Sequence, residues 1–165
     1  MASRGIPFER VGGPSVIAPG ELRTGAGGAY RVFTPYHRAW LARLADEGLS
    51  PRAIPSKLPP TPNLSFEGHH PDRAAIERAT QPSARPELLP LPGEAAAREL
   101  LDRWLSEGIA GYAKRRDLLA ETTGTSRLSA PLHLGLLSAR EIAARLLPLR
   151  EGSSQAAWLR QLAWR

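Results

Sequence analysis

The sequence predicts a mainly α-helical fold for its C-terminal part, set behind a proline-rich connection and a short N-terminal stretch with strand-like runs. Two observations carry this. From Gly93 onward, Ala97, Leu100, Leu101, Trp104, Leu105 and Ile109 recur at three- and four-residue steps, the spacing that lines one face of an α-helix. Residues 51–92, by contrast, hold ten of the sixteen prolines in forty-two positions. Each proline removes a backbone donor and turns the preceding residue away from helix, so regular structure is not expected there.

Taken in order, the first region offers Val16-Ile17-Ala18 before Pro19-Gly20, which reads as a strand or its end. Tyr30-Arg31-Val32-Phe33 after Gly27-Gly28 reads as a short extended segment, and His37 to Leu44 as a helix with Trp40, Leu41 and Leu44 on one side. These runs are too few to close a sheet, and an unpaired strand is marginal in water. In the proline-rich region only Asp72 to Ala79 is expected to make a couple of helical turns; the rest reads as an interdomain connection. Further on, Ser138-Ala-Arg-Glu141 has the capping-box pattern and opens a helix through Ile142, Leu146 and Leu147 that Pro148 stops. A last helix begins near Ser153 or Ser154. It runs to Trp164-Arg165 without a glycine, proline or polar cap, a poor place for a natural chain to stop.

Composition excludes several chemistries. There is no cysteine, hence no disulfide framework, thiolate metal site or cysteine nucleophile. His37, His69, His70 and His133 show no paired metal-ligand spacing, so no metal is expected. The start lacks an apolar signal region and no window approaches a membrane span, so a cytoplasmic protein without membrane contact is expected. The formal charge is +6, from 22 bases and 16 acids, and all bases but Lys57 and Lys114 are arginine. A polyanionic partner fits that bias, as does a GC-rich coding sequence. Residues 1–92 and 93–165 each hold 11 bases and 8 acids, so charge does not localise the partner.

Three clusters carry candidate chemistry. Gly124-Thr125-Ser126-Arg127-Leu128-Ser129 gathers three hydroxyls and an arginine behind a glycine, a donor set that can hold an anion such as a diphosphate, although the commoner use of such a run is a helix cap beside an exposed arginine. Tyr112 can hydrogen-bond a ligand and Lys114, Arg115 and Arg116 can meet phosphates, or else complement the dipole at a helix end. Trp158, Gln161 and Trp164 advance by three residues along one slanted helical stripe. That stripe either stacks flat ligands with an amide between two indoles or packs into a core.

In order along the chain, these pieces resemble the DNA photolyase/cryptochrome family. Gly28-Ala-Tyr-Arg-Val-Phe-Thr-Pro-Tyr36 followed by Trp40 is similar to the end of that family's N-terminal α/β antenna domain. Pro92-Gly93-Glu94-Ala95-Ala96 resembles the start of its helical FAD-binding domain, and Leu137-Ser138-Ala139-Arg140 the helix start after the flavin phosphate loop. The resemblance divides the chain into a partial α/β domain (1–45), a Pro-rich linker (46–92) and the first helices of the FAD domain (93–165). It implies FAD as cofactor, at Tyr112, Thr125, Ser126, Arg127, Leu128, Ser129 and Trp158. It implies UV-damaged DNA as partner, at Arg116, Gln161, Trp164 and Arg165, with Gln161 and Trp164 against the flipped pyrimidine dimer. The implied enzyme is a monomeric carbon–carbon lyase that splits cyclobutane dimers by light, with a folate or deazaflavin antenna in the parent. Most of the antenna sheet is expected before Met1 and the remaining helices after Arg165, leaving this piece inactive alone. Position 161 is Gln where repairing members carry Glu, which keeps a cryptochrome-type photoreceptor in view beside a functionless reading-frame remnant.

Overall fold

A computed structural model describes residues 14–49, 55–60, 72–80, 91–148, 150 and 152–164. Among these residues the regular structure is helical, with no strand. The chain forms two compact units: one drawn from both ends, 1–51 with 91–165, and a smaller one from 52–90. In the smaller unit, helix α2 (Arg73–Thr80) starts where the Asp72 carboxylate accepts the Ala74 N–H at 3.2 Å. That is the local bond for which aspartate is favoured at such a start.

In the larger unit, α1 (Phe33–Glu47) buries Trp40 and Leu44. It begins four residues before the expected His37, because Pro35 falls in the first turn, where its missing N–H has no helical partner to lose. The expected strand at Val16-Ile17 is absent. Residues 14–17 form a bend, and both side chains are buried in the common core. The Val16 carbonyl accepts Arg140 Nη1–H at 2.8 Å, so its polar group is satisfied without a ladder. Two apolar residues thus find a helical surface rather than a neighbouring strand.

The amphipathic segment after Gly93 is one continuous helical rod that changes register. Helix α3 (Glu94–Arg103) passes into a π turn at Trp104–Gly108, a 3-10 turn at Ile109–Gly111 and α4 (Tyr112–Arg115). Its apolar stripe delivers Ala97, Leu101, Trp104, Ile109 and Tyr112 to the core. The Trp104 ring lies against Gly108 so closely that an added Cβ there would meet Cε3 at 2.3 Å. Only glycine leaves room for the indole.

Helices α5 (Ser129–His133), α6 (Ala139–Leu146) and α7 (Ser154–Ala163) complete the unit. The capping box expected at Ser138 does not form: Ser138 has extended backbone angles but its side chain makes no cap bond. Ser153 does cap, its hydroxyl accepting the Ala156 N–H at 3.1 Å. We expect Ser153→Ala to lower unfolding free energy by about 1 kcal/mol, measured by urea denaturation, with Ser138→Ala unchanged within error. Next to it, the Ser154 hydroxyl donates to Ala110 O at 2.8 Å and accepts Ala113 N–H at 3.2 Å. This one side chain ties the start of α7 to the rod.

Candidate functional site

Downstream of α4 the chain makes successive turns through Leu118, Glu121 and Gly124 before entering α5. Arg115 holds these turns together: its guanidinium bonds the Glu121 carboxylate and the Thr123 hydroxyl. Gly124 is buried against the same residue, where an added Cβ would lie 2.7 Å from Arg115 O. Arg127 takes a left-handed φ of 54°, an uncommon conformation for a residue with a side chain. The Leu128 N–H meets the Ser126 hydroxyl at 3.4 Å.

The result is a cavity of about 530 Å³ lined by Arg103, Trp104 and Arg115 on the rod side and by Thr125, Ser126 and Arg127 on the loop side. Three arginines and one acid, Glu107, are among its lining residues, and the Arg115 guanidinium is already paired with Glu121. Hydroxyls and guanidiniums around an apolar indole make a donor set suited to an anionic ligand with a flat portion. Of the loop residues named from sequence, the Leu128 side chain is in the core, leaving only its main chain for a ligand, and Ser129 is exposed at the start of α5.

Tyr112 and Trp158 are both buried, and Trp104 joins them. Its ring meets Tyr112 edge-on at 5.8 Å and Trp158 at 5.9 Å. Burial raises the Tyr112 pKa, with Arg116 pulling it down and Asp117 pushing it up, so the phenol is protonated at neutral pH. Arg116 folds back over the Tyr112 ring, 5.6 Å from its centre, and pairs with Asp117. Trp104 thus links Tyr112 to Trp158. In the sequence it stood only as one more apolar residue of the stripe; its spacing to Gly108 was the available signal.

The end of α7 is arranged differently. Trp158, Gln161 and Trp164 do not form a shared stacking face. Trp158 turns into the core, Gln161 Nε2–H reaches back to Ala157 O at 3.5 Å, and Trp164 stacks on Phe33 at 3.9 Å and 9°. Trp164 is 64% exposed and lines a separate cavity of about 380 Å³ with Val16, Tyr36 and Trp40. Neither Gln161 nor Trp164 lines the cavity of the 125–127 loop. Arg165 and the pair His69-His70 lie outside the described residues. Among the described residues no group of three His, Asp or Glu is placed to hold a metal, and no helix is long and apolar enough to cross a membrane.

Comparison with known proteins shows what this chain is similar to. The DNA photolyase family model matches residues 1–62. Across most of its length the chain is similar to enzymes named deoxyribodipyrimidine photo-lyase. It is 35% identical to that of Salmonella typhimurium over 156 residues, covering 91% of this chain and 31% of that protein. It is 36% identical to that of Streptomyces griseus, covering 92% and 31%, and 33% identical to that of Escherichia coli, covering 99% and 34%. The chain is therefore similar, over most of its own length, to the DNA photolyases. It spans about a third of the length of the curated relatives it matches.

Proposed function

We propose that this chain supplies part of the flavin-binding portion of a light-dependent DNA-repair lyase of the photolyase type. The observation that carries the reading is the cavity where Thr125, Ser126 and Arg127 face Arg103, Arg115 and Trp104. Its hydroxyls and arginines suit the diphosphate of FAD, and Trp104, backed in the core by Tyr112 and Trp158, which do not themselves line the cavity, supplies its apolar side. When bound, FAD supplies the light-driven electron chemistry; the residues named here hold and orient it and keep water away. On this reading UV-damaged DNA is the partner, approached from Arg116, Gln161, Trp164 and Arg165, and the protein is a cytoplasmic monomer. Residues 1–45 then belong to an α/β antenna domain for folate or deazaflavin, with 46–92 as the linker.

One residue favours a second reading. Gln161 carries an amide, which hydrogen-bonds but cannot deliver a carboxyl proton to a lesion, and this fits a cryptochrome-type flavin photoreceptor.

Titration of the chain with FAD, ADP and riboflavin tests the phosphate assignment. FAD and ADP should bind with similar affinity and riboflavin at least about tenfold more weakly, because charge-assisted bonds to phosphate are worth about 1.5–3 kcal/mol. Arg127→Ala should weaken FAD and ADP by about 10–100-fold while leaving riboflavin unchanged. Equal affinity for riboflavin and FAD would remove the loop from the phosphate site.

A further inference from the structure

Charge is spread evenly along the sequence, yet the fold gathers two arginines where no described carboxylate answers them. Another cavity, of about 500 Å³, lies between α1 and α7, with Thr34, His37 and Arg38 on one side and Gly152, Ala156 and Arg160 on the other. No acidic side chain is among its described lining residues. Elsewhere in the larger unit Arg43, Arg98, Arg115, Arg116 and Arg145 each pair with a carboxylate; Arg38 and Arg160 have no such partner among the described residues.

His37 fixes the floor. Its ring is stacked on Phe33 at 5.3 Å and on Trp40 at 6.1 Å, and Nε2 is buried without a hydrogen-bond partner. Burial, reinforced by the neighbouring Arg160, lowers its pKa, so the imidazole is neutral at neutral pH. The positive charge of the cavity therefore rests on two guanidiniums. Two like charges on one cavity repel unless an anion lies between them, and guanidinium forks match phosphate oxygens.

We infer that the cavity between α1 and α7 is a phosphate-binding site, in which Arg38 and Arg160 take the anion and the Thr34 hydroxyl adds a donor. It shares no residue with the flavin reading and stands apart from it. Phosphate can come from a nucleic-acid backbone or from a free phosphate compound, and the same experiment separates the two.

The 165-residue chain is titrated with a fluorescein-labelled undamaged DNA duplex and, separately, with pyrophosphate. Arg38→Gln/Arg160→Gln is compared with the charge-matched Arg43→Gln/Arg98→Gln, all four side chains being exposed. We expect the first pair to weaken binding at least about tenfold more than the second. If the duplex is the phosphate source, its log affinity against log salt should lose a slope of about two. A loss confined to the duplex assigns the site to a DNA backbone; a loss for pyrophosphate assigns it to a free phosphate. Equal losses in both double variants, no loss in either, or no binding of either probe overturns the site. Circular dichroism checks the fold, and the single variants Arg38→Gln and Arg160→Gln, each expected to give part of the loss, decide the matter if the double variant unfolds.

Discussion

Trp104→Ala is expected to cost about 3–5 kcal/mol of folding free energy, the usual range for removing a large buried aromatic side chain. The indole is 5% exposed and contacts Tyr112, Trp158 and Gly108 at once. Alanine would leave a void at the junction of the rod with α7, and the π turn, which glycine shapes around the ring, would lose its packing partner. Since small proteins hold only about 5–15 kcal/mol in total, urea unfolding should show a midpoint far below the wild type, or none. Trp104→Phe should recover most of the loss, because the Nε1–H it removes has no partner to forfeit. A cost for alanine under about 1 kcal/mol would mean that the indole is not the centre of the core.

Gly124→Ala ranks next. Its new Cβ would stand 2.7 Å from the Arg115 carbonyl oxygen, a backbone atom that cannot swing aside. Either α4 or the loop must shift, at a cost of about 1–3 kcal/mol. The displacement falls on residues 125–127, so FAD affinity should drop by more than about tenfold even where the variant is fully folded. Gly25→Ala, with nothing within 4 Å of the added carbon and no left-handed φ, is the matched control and should change stability by less than about 0.5 kcal/mol. Unchanged FAD binding by Gly124→Ala would detach the loop from the ligand.

How much of this was legible in the sequence depends on whether the signal was local. The stripe from Ala97 to Ile109, the turns after Asp72 and the start at Ser153 were all readable, because spacing and capping act within a few residues. The strand at Val16-Ile17 was misread for the opposite reason. Short apolar runs do not say what will cover them, and here the cover is a helical surface more than a hundred residues away. Ser138 and Ser153 look alike in sequence, yet only the second forms its bond.

In the candidate site, the hydroxyls of the 125–127 loop are legible in the sequence, but not Arg103 or Trp104, which line the same cavity from the rod. The stripe of Trp158, Gln161 and Trp164 was drawn from periodicity alone. Burial takes Trp158 away from it, and the pairing with Phe33 claims Trp164. Pairing of charges was equally invisible, since the two halves of the sequence carry identical counts.

Because the hydrogen bond from Arg140 to Val16 ties together two points 124 positions apart, the larger unit is stitched from the two flanks of the chain with residues 52–90 spliced between them. The entropy of such a closure grows only logarithmically, by about 0.6 kcal/mol for each doubling of the enclosed length. Evolution can therefore lengthen or shorten the proline-rich insert at little thermodynamic expense, while any change to the bend at residues 14–17 acts on the distant helix that holds it.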